Sequence, residues 1–339
     1  MCIWHHWIGA LIEAQLAERR GDRPRSLAAL ARAFRVGRDK GYDFGPMPYC
    51  AGDMMSRLML LALEHGIDPP FAQGIVRRYA LPAPEGAGER WPWPIRIRTL
   101  GRFAIERDGA PAAAPRKESR KPLDLLKLLV ALGGQAVPVA RLCAALWPEA
   151  EGDAARNSFD NALHRLRKLL GGDLHVQLRS GGLSLDASTC WTDLAALEAC
   201  LAEVDALAPE ATVAQLSALA DQALALCQGE FLAGDEELPD VLVARTRLQA
   251  RFTRQVAVLG ARLEALGQAA EAARLYERVV EQQPLAEDTV RRLIVCLLGL
   301  GQRAKAFEVY RRCRQQLSVV LGMRPAPETE ALVASLRDL

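Results

Sequence analysis

No run of apolar residues in this 339-residue chain reaches the roughly 20 needed to cross a bilayer, and the longest, such as the one around Leu58 to Leu63, fall well short. The opening Met-Cys-Ile-Trp-His-His carries no basic flank of the kind that begins a secretory signal. A cytoplasmic protein with no membrane partner is expected. Cysteine pairs at C-x-x-C spacing are missing as well. The eight cysteines (Cys2, Cys50, Cys143, Cys190, Cys200, Cys227, Cys296, Cys313) are scattered, and none has a histidine at metal-ligand spacing. They read as reduced, buried, small apolar residues. His5-His6 sits at a terminus, and His65, His164 and His175 are far apart. No metal and no cofactor are expected.

Catalytic motifs are equally scarce. The chain has no Gly-x-x-x-x-Gly-Lys-Ser/Thr loop to cradle a triphosphate, and no Ser/His/Asp or Cys/His set can be assembled from local motifs. The run Asp235-Glu236-Glu237-Leu238-Pro239-Asp240 reads as a solvated turn entering a helix N-terminus, where carboxylates suit the dipole. No enzyme is expected. Net charge is also nearly absent, at +2 overall, but it is unevenly spread. Residues 1–94 hold 12 Lys and Arg against 10 Asp and Glu, residues 95–186 hold 15 against 10, and residues 187–339 hold 16 against 21. The basic excess therefore falls in the middle of the chain, where a nucleic-acid reader would need it.

Length and a half-apolar composition allow two or three domains, each with a core. Residues 8–40 carry apolar positions at helical spacing, broken at Gly21-Asp22-Arg23-Pro24, and a second helical hairpin covers about 51–80. A Pro/Gly stretch from Leu81 to Gly88 marks a boundary, giving a helical-repeat remnant at 1–82 and a linker at 83–94. The period then changes to two-residue alternation in Ile95-Arg96-Ile97-Arg98 and Phe103-Ala104-Ile105, with Asp108-Gly109 as a turn. Helices follow at about 122–132, 139–146 and 153–170, and short strands at 174–178 and 183–185 flank Arg179-Ser180-Gly181-Gly182. From the N-cap Thr192-Asp193 the remainder is helical, at about 193–206, 212–227, 240–266, 268–282, 287–299, 303–321 and 327–337. Within it Gly267/Gly301, Leu263/Leu297, Ala272/Ala306 and Tyr276/Tyr310 recur 34 residues apart, the period of tetratricopeptide arrays. Gly21, Ser26 and Leu30 repeat the offsets of Gly267, Ala272 and Tyr276, and Leu263, Tyr276 and Tyr310 are expected in the core between helices.

The helix at 153–170 is the segment with chemistry. On a helical wheel Phe159, Leu163, Leu166 and Leu170 make the buried stripe, and Asn157, Asn161, His164, Arg165 and Lys168 lie opposite. Arginine can bridge guanine O6 and N7, asparagine adenine N6 and N7, and lysine meets phosphate oxygens. A solvated amphipathic helix would also turn polar residues outward, and Arg156 with Asp160 reads as an ordinary intrahelical ion pair on the flank that holds Arg167. The preceding helix-loop-helix and the following two-strand wing, with Arg179 at its tip, favour a reader whose helix enters the major groove.

These residues resemble a known family. Ile95 to Asp193 is similar to the winged-helix domain shared by OmpR-type response regulators and the antibiotic-pathway activators called SARPs. The likeness is carried by Leu146-Trp147-Pro148, by Asn161 to Gly171 and by Trp191-Thr192-Asp193. Residues 230–336 resemble the bacterial transcriptional activation domain (BTAD) that follows it, through Arg245-x-x-Leu248, the repeat pair, Pro284-Leu285-Ala286-Glu287, and Leu321-Gly322-x-x-Pro325-x-x-Glu328-Thr329. Leu183 stands where an aromatic is usual after the wing glycine, and Val241 where tryptophan is common. Residues 8–82 resemble the end of the helical sensor array of large ATP-dependent (MalT-like) regulators, with the preceding ATPase absent.

The resemblance implies a mainly α protein: an OmpR-type winged helix-turn-helix at 95–190, a TPR-like activation domain at 191–339, and the N-terminal repeat remnant. It implies that Arg165 contacts bases, that Asn157, His164 and Arg167 approach the phosphate backbone, and that Arg179 and Trp147 do so from the wing and the helix turn. The expected function is a sequence-specific, DNA-binding transcriptional activator with double-stranded DNA as partner, its helical half serving RNA polymerase contact or homo-oligomerisation. The competing reading is a helical-repeat adaptor that binds protein and touches no DNA.

Overall fold

In the computed structural model the described residues are 3–42, 52–112, 120–235 and 238–337. The order of elements is α1 (Ile3–Arg19), α2 (Arg23–Lys40), α3 (Gly52–Glu64), α4 (Pro69–Arg78), β1 (Ile95–Arg98), β2 (Ala104–Arg107), β3 (Ala110–Pro111), α5 (Arg120–Ala131), β4 (Val137–Pro138), α6 (Val139–Leu146) and α7 (Gly152–Leu170). There follow β5 (Val176–Arg179), β6 (Gly182–Leu185), β7 (Cys190–Thr192), α8 (Asp193–Asp205), α9 (Val213–Leu226), α10 (Pro239–Ala265), α11 (Ala269–Gln282), α12 (Glu287–Gly299), α13 (Arg303–Gln316), a π turn (Leu317–Leu321) and α14 (Pro327–Arg337). Helix makes up 65% of the structure, so the chain is mainly α, as its periodicity implies.

Two compact units emerge. One comprises residues 1–97, 105–119 and 163–191, the other 98–104, 120–162 and 192–339. In the first, α1 and α2 form an antiparallel hairpin. The Asp22 side chain caps α2 by accepting from the Arg25 amide at 3.2 Å, a donor the helix itself cannot satisfy. Buried Ser26 donates to the Ala14 carbonyl at 2.9 Å across the pair, and Phe34 meets Phe71 of α4 edge-on at 5.1 Å. The stretch from 81 to 94 has neither helix nor strand, yet Trp91 and Trp93 within it are buried and Arg96 donates to the Glu89 and Trp91 carbonyls at 2.8 Å, so apolar anchoring and hydrogen bonds to its backbone fix it. The sheet runs β3-β2-β1-β7, with β2 and β3 antiparallel in the register Arg107 to Ala110.

In the second unit the 34-residue period becomes geometry. Gly267 and Gly301 both turn the chain with φ near +75° and +73°, a left-handed conformation that glycine adopts without steric cost. Gly21 does the same at +73°, between α1 and α2. Residues at matching offsets are buried in all three hairpins: Ser26, Ala272 and Ala306, then Leu30, Tyr276 and Tyr310. Leu263 is fully buried with them. The hydroxyl of Tyr276 donates to Glu264 at 2.5 Å, and its ring passes so close to Gly260 of α10 that a β-carbon there would collide with it.

Four expectations need correction. The first wing strand begins at Val176, not Leu174, whose side chain is 72% exposed. The helix expected at 303–321 is α-helical only to Gln316 and ends in the π turn. Strand β7 has no counterpart in the sequence pattern, because three residues are too few to show a period. The acidic run is more than a solvated turn at its described ends: Asp235 pairs with Lys127 at 2.6 Å and Asp240 with Arg141 at 2.7 Å. Glu236 and Glu237 lie outside the described residues. So do Cys2 and Cys50. Of the remaining six thiols all are free, and five are buried while Cys143 is half-buried.

Candidate nucleic-acid interface

Helix α7 is built by an apolar stripe. Phe159, Leu163, Leu166 and Leu170 are all 3% exposed or less, and their i, i+4, i+7, i+11 spacing makes the opposite arc face solvent. There Asn157, Asn161, His164, Arg165 and Lys168 are exposed. At 1.5 Å per residue the row from Asn157 to Lys168 is about 16 Å long. None of the five makes a hydrogen bond or ion pair with any described residue.

The flanks behave differently. Arg156 pairs with Asp160 at 3.1 Å, one turn on, and its guanidinium also lies 5.4 Å from the Phe159 ring. Arg167 is half-buried. Its Nε donates to the Val176 carbonyl at 3.2 Å and lies 3.5 Å from the Asp173 carboxylate. Its guanidinium thus ties the helix end to the first strand of the hairpin, the flank position that the helical wheel gave it. Gly171, with φ +95°, lets the chain turn out of the helix towards that strand.

The hairpin is short and rigidly turned. β5 and β6 pair antiparallel from Val176 with Leu185 to Arg179 with Gly182. Ser180 and Gly181 both have positive φ, 49° and 76°, the two-residue turn whose twist matches that of flanking strands. Arg179 is the last paired residue before it and is exposed. Leu183 is fully buried, so a smaller apolar group fills the place of the usual aromatic. At the base of the hairpin, His175 Nδ1 meets Thr189 Oγ1 at 3.0 Å, and burial pushes its imidazole below the ordinary histidine range, against the opposing pull of Asp108 and Asp186.

Trp147 stands apart from this row. It is half-buried at the C-cap of α6, beneath Lys121, whose ammonium donates to the Leu146 carbonyl at 2.9 Å and sits 6.0 Å from the indole centre. Lys121 is a neighbour that no spacing argument in the sequence identifies.

A second residue that the sequence under-reads is Asp193. Thr192 is the N-cap of α8, accepting from the Ala195 amide at 3.0 Å, while Asp193 is buried in the first turn. Its carboxylate receives the Thr99 amide at 2.7 and 2.8 Å, the Thr99 hydroxyl at 2.7 Å, the Leu100 amide at 2.8 Å and the Leu194 amide at 2.9 Å. Desolvation pushes its pKa up, and these donors offset that in part. Beside it Leu100 bridges to Phe231, and Arg245 donates to the Phe231 and Leu232 carbonyls at 2.8 and 2.6 Å. Among the described residues no group of three or more His, Cys, Asp or Glu could hold a metal ion, and no helix is long and apolar enough to cross a membrane.

Residues 192–337 match the bacterial transcriptional activator domain. Over 209 residues the chain is 31% identical to the regulatory protein AfsR of Streptomyces griseus; the alignment covers 61% of this chain and 21% of that protein. The chain thus spans about a fifth of the length of this curated relative. Among solved structures it resembles Mycobacterium tuberculosis EmbR in complex with a low affinity phosphopeptide, with a TM-score of 0.53 and 26% identity over 73% of this chain and 66% of that one. By these likenesses residues 192–337 are a bacterial transcriptional activator domain, and the chain is similar to regulators of the SARP type.

Proposed function

We propose that the chain is a sequence-specific transcriptional activator that binds double-stranded DNA, with α7 in the major groove and Arg179 on the adjacent groove or backbone. One observation carries this reading: five exposed polar and basic side chains stand in a row on α7 with no partner in the described chain, while the cations flanking them are all paired. Arg165 reads a base, with Asn161 beside it, and Lys168, His164 and Asn157 meet phosphates. Arg167 fixes the hairpin against the helix and keeps N–H groups for phosphate, and Trp147 packs under the backbone contact.

On this reading residues 95–190 are the DNA-binding module, 1–82 a repeat remnant joined by the 83–94 linker, and 191–339 the part that serves RNA polymerase contact or self-association, in the cytoplasm. The likeness to AfsR covers a fifth of that regulatory protein, and residues 8–82 read as the end of a helical array of the MalT-like kind. The test is selection of bound duplexes from a random pool with the full chain, followed by shift assays on the selected and random sequences. Arg165→Ala is expected to relax base preference by about 1–3 kcal/mol. Lys168→Ala should weaken both duplexes alike and lower the salt slope of log affinity by about 0.9. Equal losses on both duplexes for both variants would sink these roles, and duplex binding that is undetectable or insensitive to salt would favour a protein adaptor.

A further inference from the structure

Several arginines of the activator domain are engaged within it. Arg251 reaches Asp205 at 3.2 Å, Arg274 reaches Asp221 at 2.8 Å and Arg292 reaches Glu264 at 3.4 Å. Helix α13 holds the largest group that is not. Arg303, Arg311 and Arg314 are exposed and have no hydrogen bond or ion pair with any described residue, and only Lys305 of that helix is paired, with Glu277. Their spacing of eight and three residues puts all three on one face, and Phe307, 41% exposed, stands between them on that face. The sole acid of the helix is Glu308. Like charges one turn apart repel, so the stripe stabilises nothing inside the domain.

The exposed apolar residues next to it are the second half of the argument. The π turn that ends this helix leaves Val319 76% and Val320 57% exposed, and Met323 just beyond is 59% exposed. Large aliphatic side chains held in water just past the end of a helix that carries unpaired arginines and an exposed aromatic make up the composition of a protein-binding patch. A phosphate backbone would pair with the arginines but would bury none of the aliphatics.

We propose that the outer face of α13 and its π turn dock an acidic protein segment that carries apolar anchors. Carboxylates of the partner pair with Arg303, Arg311 and Arg314, while its apolar side chains cover Phe307, Val319 and Met323. This surface is separate from α7, so its failure and the failure of the DNA-binding reading are distinguishable.

The test uses the full chain and a short fluorescein-labelled amphipathic peptide with Asp and Glu on one helical face and Leu and Phe on the other. Fluorescence anisotropy should show binding that falls about tenfold or more in Arg311→Glu with Arg314→Glu and about tenfold in Phe307→Ala. A peptide with Lys in place of the acids should not bind. Circular dichroism melts should be unchanged, and Arg311→Gln with Arg314→Gln serves if the charge reversal unfolds the chain. The proposal is overturned if the acidic peptide fails to bind or binds all variants equally. It is also overturned if a Ser-for-Leu/Phe peptide binds as well, or if a random duplex loses affinity in step with the peptide.

Discussion

Arg245, Arg251 and Arg262 of helix α10 and Arg165 of helix α7 are used in opposite ways. In α10, Arg245 holds two backbone carbonyls with its side chain 11% exposed, Arg251 pairs with Asp205, and Arg262 donates to the Ala208 carbonyl. In α7 the flanking arginines are engaged likewise, but the central row is not. The same residue type therefore serves as a fastener where its N–H groups meet acceptors of its own chain, and stays available where they meet only water. Partner lists separate the two roles, which composition alone does not.

Substitutions can break or sharpen this contrast. The largest effect is expected at Arg245→Ala, which strands the Phe231 and Leu232 carbonyls; urea titration should show a loss of roughly 2–4 kcal/mol, with base preference intact. Arg165→Ala should do the reverse, leaving the urea midpoint unmoved while discrimination between duplexes drops by about 1–3 kcal/mol. If Arg165→Ala instead destabilised the fold, its side chain would be a fastener after all. Arg167→Ala should cost about 1 kcal/mol, seen as faster hydrogen exchange at Val176 to Leu178.

A smaller effect concerns His175. Its folded pKa lies below the ordinary value of 6.5, so the unfolded chain takes up the proton first. The stability linked to its neutral form is complete above pH 6.5 and is lost as pH falls through the lower folded value. Melts between neutral and mildly acidic pH should show this decline, and His175→Gln should flatten it. Smallest is Arg156→Ala, worth about 0.2–0.5 kcal/mol of helix stability, with no change in base preference.

Much of this was legible in the sequence because periodicity survives wherever one face of an element is buried. The stripe of α7 and the bounds of α6 and α12 follow from apolar spacing and from glycine and proline stops. The row from Asn157 to Lys168 was legible for the same reason, as the complement of that stripe. Contacts made across long sequence separations were not. Asp193 beside a threonine looks like half of a helix cap, and nothing local announces that its carboxylate gathers donors from Thr99 and Leu100. Gly260 sits inside a helix with ordinary backbone angles, and only the passing Tyr276 ring explains the missing β-carbon. Arg167 was legible as a flank residue but not as the tie to Val176, because the partner is a backbone carbonyl.

The grip of Asp193 on Thr99 and Leu100 also decides where the polypeptide can be divided. A DNA-binding fragment ended at residue 190, where motif boundaries suggest a cut, would leave two backbone amides and a hydroxyl without their acceptor. It would also lose Trp191 and Thr192 from strand β7. Extending the fragment through α8 to Asp205 restores all of these. The proposed reader and the helical half are thus spliced by a shared carboxylate, and severing them is expected to yield a soluble, correctly folded fragment only on the far side of that splice.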